Sequence, residues 1–146
     1  MGVTTIRALV NMTDQPATLK NRENNDVVQT VRYEAKKCSM RIPHCPVASE
    51  FPGHHLRLDF FGPQQPGQPA PRFIYSIWQQ NISSSDWVRF REYAPVTYQD
   101  PNIDPQYEPN SRGLLNARNG SEYVVSEFSD ALLVIDERLW VILVQI

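Results

Sequence analysis

Only two cysteines, three histidines and six glycines occur among the 146 residues of this chain, and each scarcity removes a class of function. Two cysteines exclude the disulfide-dense scaffolds that small secreted domains use in place of a core. The few glycines form no phosphate-cradling loop, and neither a G-x-S-x-G elbow nor an H-E-x-x-H pair occurs. Near-neutral bases are limited to His44, His54 and His55. Long apolar runs are missing too. The most apolar stretch, 131–146, is interrupted by Asp136, Glu137 and Arg138, which leaves it too short and too charged to cross a bilayer. Residues 1–11 lack a charged start followed by an apolar run, and Ile6 stands where a myristoylation signal needs Ser or Thr. The expected location is the cytoplasm, or outside the cell without a visible signal peptide.

No excess of one charge sign is present. The formal net charge is −2, and the only dense basic stretch is Lys36-Lys37 with Arg41 nearby. A nucleic-acid partner would demand clustered Lys and Arg, so none is expected.

What the chain does have is an alternating apolar pattern over a length suited to one domain, 1–146. Ile6, Ala8 and Val10 alternate with Thr5, Arg7 and Leu9; Leu56, Leu58 and Phe60 alternate with His55, Arg57 and Asp59. Phe73, Tyr75 and Ile77 do so with Ile74, Ser76 and Trp78. A strand with one buried face requires this period of two. Turn-forming residues at 13–16, 24–26, 81–86 and 118–121 separate the runs, and Asn119-Gly120 is the clearest hairpin signal. The expectation is an all-β, single-domain antiparallel β-sandwich, or a closed β-barrel, of about eight to ten short strands.

Some segments read less simply. Residues 26–37 fit either a helix capped by Asp26 or a strand, and the Val and Thr at 27, 28, 30 and 31 favour strand. Leu114-Leu115 fit a short helical turn. The runs 132–135 and 139–146 suggest two antiparallel strands covered on both faces, in the core or at an oligomer contact. The Pro/Gly/Gln stretch 62–72 reads as a long hairpin loop, and 93–113 as a second long loop.

Two metal or redox readings arise. Cys38 and Cys45 fit free, largely buried thiols first, then a small disulfide loop, then a metal pair joined by His44, His54 or His55. Asp100, Asn102 and Asp104 have the spacing of the first half of a calcium loop, with Glu108 close by. However, Pro105 replaces the turn glycine and Ser111 the bidentate glutamate, so Asp-Pro turns are the plainer account and no cofactor is required.

The aromatic residues carry the functional expectation. Trp78 ends one predicted strand and Trp87 begins the next, with Gln80 between them and Arg89 just beyond. Tyr93, Tyr98 and Tyr107 follow in the second long loop. Ring faces beside amides and carboxylates suit sugar recognition, and the same rings suit a membrane surface. The alternative is that Trp78 and Trp87 are ordinary core or cross-strand partners. Three N-x-S/T sequons, at Asn11, Asn81 and Asn119, fall at predicted turns; they would be accessible on a eukaryotic secretory route, and without a leader the plainer reading is that they are incidental.

In size, acidity and scattered aromatics the chain resembles small fungal and bacterial β-sandwich proteins, among them lectins and the membrane-binding aegerolysins. That resemblance implies a lectin-like module for carbohydrate or glycolipid head groups, or a toxin-like membrane-binding component. A hydrolase using His54 or His55, and an oligomer built through the C-terminal strand, are the further expectations.

Overall fold

The computed structural model describes residues 4–44, 54–68, 70–82, 85–97, 123–125 and 130–146. Ten strands lie among them: β1 (Thr5–Asn11), β2 (Ala17–Asn21), β3 (Val27–Thr30), β4 (Glu34–Arg41), β5 (Leu56–Phe61), β6 (Pro71–Ile82), β7 (Ser85–Thr97), β8 (Tyr123–Val125), β9 (Asp130–Ile135) and β10 (Val141–Gln145). They form a four-stranded sheet, β10-β9-β1-β4, and a six-stranded sheet, β3-β2-β5-β6-β7-β8. Among the described residues the architecture is all-β, with two sheets that do not close into a barrel. Most pairings are antiparallel, but β1 and β9 run parallel, which the antiparallel expectation did not include.

One cluster draws on both sheets, as a sandwich requires. Ile6, Leu9, Met40, Leu133 and Leu143 come from the smaller sheet, and Leu19, Leu58, Phe60, Tyr75 and Ile77 from the larger. Phe60 stacks on Phe73 (5.3 Å between centroids) and on Tyr75 (5.9 Å), giving the larger sheet an aromatic inner face.

Strand β1 departs from simple alternation. Ile6 is buried as expected, but beyond it Leu9 and Asn11 face inward, and Ala8 and Val10 do not. A bulge between Ile6 and Ala8, present in the pairings with both β4 and β9, moves the strand by one residue and inverts its phase. Asn11, fully buried, then organises the β1–β2 turn. Its Oδ1 accepts from the Thr13 backbone N–H (3.0 Å) and hydroxyl (2.7 Å), and its Nδ2 donates to the Gln15 carbonyl (2.7 Å). This sequon is therefore not displayed at the surface.

Segment 26–37 is strand, as favoured, but a turn splits it. Val28 and Thr30 of β3 point inward, while Val27 and Val31 are exposed. Tyr33 closes the turn in the left-handed region (φ 54°). At the chain's end, β9 and β10 pair antiparallel around Asp136, Glu137 and Arg138, as expected. Asp136 Oδ1 accepts from the Arg138 and Trp140 N–H groups, each at 2.9 Å, and Leu139 takes the left-handed position (φ 68°) that three-residue hairpin loops demand. These strands are not covered on both faces. Ala131, Leu133 and Ile135 are buried, whereas Leu132 and Val134 are only half-buried and Val144 is exposed.

In β6 the face expected to be the more solvated is buried as well. Arg72, Ile74, Ser76 and Trp78 are all interior, and on this face the Arg72 guanidinium makes a two-pronged ion pair with Asp59, which Arg57 also reaches at 3.4 Å. Cys38 is a half-buried free thiol donating to the Ile6 carbonyl (3.3 Å), and Cys45 lies outside the described residues. Burial raises its pKa, opposed by the charge of Arg7.

Candidate functional site

A cleft of about 520 Å³ opens where the β2–β3 turn meets the end of β4. Its first wall is the turn itself. Asn21 N donates to the Asp26 carbonyl (2.8 Å) and Asn25 N to the Asn21 carbonyl (2.7 Å), with Asn25 left-handed at φ 63°. Two side-chain amides brace the loop: Asn21 Oδ1 accepts from Glu23 N (2.8 Å) and Asn24 Oδ1 from Asp26 N (3.1 Å). Short polar side chains that bond their own backbone two residues on are what hold such a turn, so the run Asn21-Arg22-Glu23-Asn24-Asn25-Asp26 dictates its shape.

The opposite wall comes from β4 and the residues after it, Ser39, Arg41, Ile42, Pro43 and His44. Gln79, fully buried in β6, fixes this wall. Its N–H donates to the Pro43 carbonyl (2.8 Å), and its Oε1 accepts from Thr4 N (3.0 Å). The Thr4 carbonyl in turn accepts from Ile42 N (2.9 Å), so one residue, through its backbone N–H and its side-chain oxygen, ties the two sheets behind this wall. Sequence reading placed Gln79 in a loop between the tryptophans. Only its strand neighbours could have revealed it as interior.

His54 closes the rim. Arg22 N donates to the His55 carbonyl (3.0 Å), which brings the start of β5 against the turn and sets His54 Nδ1 at 3.1 Å from Glu23 Oε2. A carboxylate-oriented imidazole is a familiar proton-transfer group. Among the described residues, however, no hydroxyl or thiol bonds to His54, and the Ser39 hydroxyl is engaged by Arg7 Nη1 at 3.1 Å. His55 is buried, away from solvent.

The polar groups on these walls retain unused hydrogen-bonding capacity. Among the described residues, Asn21 Nδ2, Asn24 Nδ2, the Arg41 guanidinium and the Asp26 carboxylate have no side-chain partner in the protein. Donors and acceptors therefore line one concavity together.

The aromatic candidates sit elsewhere. β6 runs on to Ile82 and β7 begins at Ser85, so 79–86 is mostly paired strand and not a displayed loop. The register sets Trp78 opposite Arg89, Gln80 opposite Trp87 and Ile74 opposite Tyr93, placing five candidates on one hairpin. Trp78 itself is only 3% exposed, so its ring belongs to the interior. Tyr98 and Tyr107, and the calcium candidates Asp100, Asn102 and Asp104, lie outside the described residues, as does the Asn119-Gly120 turn. Among the described residues no cluster of three or more His, Cys, Asp or Glu could hold a metal ion. No described helix is long and apolar enough to cross a membrane.

In comparison with known proteins, the chain matches no protein-family model, no curated protein and no solved structure. The likeness to lectins and aegerolysins accordingly stays one of size and strand pattern.

Proposed function

We propose that the chain is a single-domain β-sandwich acting as a non-catalytic, lectin-like binding module, with a carbohydrate or glycolipid head group as ligand. The supporting observation is the cleft at the β2–β3 turn, where amide and guanidinium donors and a carboxylate acceptor converge without protein partners. A polyhydroxylated ring offers both acceptors and donors at close spacing and uses both kinds of wall group. The pair His54–Glu23 serves as part of the wall, orienting the rim.

The test is a glycan array with labelled protein, run with calcium and again with a chelator. The expected result is a hit competed by free sugar and weakened at least about tenfold by Asn24→Ala or Arg41→Ala, a loss of roughly 1.4 kcal/mol. Loss of binding on chelation would assign calcium to Asp100, Asn102 and Asp104. A blank array combined with liposome binding that free sugar does not compete would replace carbohydrate with a lipid surface. Release of reducing ends by the wild type, abolished in His54→Ala, would overturn the non-catalytic reading in favour of a hydrolase.

A second reading, self-association through the C-terminal strand, has its own observation. On β10, β9 and β1 the outward positions of the smaller sheet form two aliphatic rows in register, Ala8–Leu132–Val144 and Val10–Val134–Ile142, which end on β4 at Lys37 and Ala35. Among the described strands β10 is the edge of that sheet, and an edge of this composition favours a strand from a second copy.

A further inference from the structure

A second and smaller cleft, about 210 Å³, opens at the other end of the sheets. Strand β4 links the two ends. It starts just after Tyr33, at the small cleft, and finishes at Arg41 in the large one, and its eight residues separate them by roughly 25 Å.

Two residues on the rim of the small cleft hold left-handed backbone that a side chain ordinarily avoids. They come from different turns: Tyr33 from β3–β4 and Leu139 from β9–β10. A bulky residue in this region costs of order 1 kcal/mol and persists where surrounding structure imposes it. Leu139 has an evident structural return, because it packs against the core cluster. Tyr33 has none: it is 61% exposed, with the Arg32 guanidinium 4.8 Å from its ring centroid. Glycine would satisfy the turn without strain, so the aromatic ring is what the position adds.

The chemistry around that ring is specific. Asp14 and Glu137 bring carboxylates to the same cleft, and among the described residues neither they nor the tyrosine hydroxyl has a side-chain partner. Phe61 and Pro63 give it an apolar side. The volume equals that of about seven water molecules, which suits a single sugar ring. Arg32 already lies against the ring, which disfavours a cationic ligand there. A pyranose has an apolar face for the ring and hydroxyl donors for the carboxylates.

We propose that the cleft formed by Tyr33, Asp14 and Glu137 is a second, single-ring carbohydrate site, which makes one polypeptide bivalent with its two sites at opposite ends. The ligand class rests on the carbohydrate reading of the large cleft; the existence of a second site rests on the geometry above. Bivalence allows a monomer to bridge two glycans and raises avidity without new contacts.

The experiment is a backbone-amide NMR titration of the full chain with a panel of methyl pyranosides and N-acetylglucosamine. Two separate sets of shifts are expected, one at 21–26 and 39–42, the other at 12–14, 32–33 and 137–139. Tyr33→Gly, which suits the left-handed position and so keeps the fold, should weaken only the second set by at least about tenfold. It should also abolish precipitation of a polyacrylamide-linked glycan by the protein. Shifts confined to the first set would overturn the second site and leave the proposed function standing. Shifts confined to the second set would support this site and remove the large cleft from the proposed function. No shifts with any sugar would overturn both.

Discussion

Single polar residues hold the turns of this molecule, and they act through their side chains. Asp136 is the clearest case. Its partial burial works to raise its pKa, but hydrogen bonds from the Arg138 side chain and from the Trp140 and Arg138 backbone N–H groups, together with the charge of Arg138, outweigh that and hold it below the usual carboxylate range. A lowered folded-state value means that the unfolded chain takes up a proton first as pH falls. The stabilisation is complete above the unfolded value of about 4 and disappears as pH drops through the folded one. Denaturant melts of the wild type and Asp136→Asn should therefore differ at neutral pH and converge as pH falls through the lowered folded-state value, with the variant the flatter of the two. Parallel profiles over that range would show that the loop does not depend on the charge. Asn11 plays the same bracing part without a charge, from a fully buried position.

At the scale of the element, the alternating pattern disclosed the strands better than their faces. Leu56, Leu58 and Phe60 lie on the core side as their spacing requires, and so do Phe73, Tyr75 and Ile77. β1 misleads because a bulge is a property of two pairings at once, and the run Thr5-Ile6-Arg7-Ala8-Leu9 carries no glycine to announce it. The β6–β7 hairpin misleads because polar residues at 79–86 look like a loop while the register continues through them. The candidate cleft was barely visible in sequence: 24–26 read as a turn, but its wall across the cleft comes from residues that only the Gln79 tie brings near. Of the expected loop 62–72, the last two residues, Pro71 and Arg72, belong to β6, and the structure adds why the loop starts with glycine. A Cβ on Gly62 would lie 3.0 Å from Phe73 Cε2 and Pro71 Cγ and 3.2 Å from Leu139 Cδ1. Gly62→Ala should cost about 1–3 kcal/mol in a thermal or urea melt, the usual range for overpacking. An unchanged midpoint would show that the Phe73 and Leu139 side chains yield freely.

For the whole molecule, the half-buried aliphatic rows, with Val144 exposed, and the β10 edge make association the property to measure. Sedimentation velocity should show a concentration-dependent dimer that Val144→Lys disperses, since a charge on an edge strand opposes pairing. A monomer at every concentration would remove the self-association reading and leave bivalence to the two clefts. One further consequence comes from the parallel contact between β1 and β9. It joins segments more than a hundred residues apart, as the Arg7–Asp130 ion pair, 123 residues apart in sequence, illustrates. Pairings of such separation form late and slowly, because loop closure precedes any return from the contact. During synthesis β1 must wait for β9, and until then Ile6 and Leu9 have only β4 beside them. The smaller sheet should therefore be completed after the local hairpins of the larger one, whichever order the strands are made in.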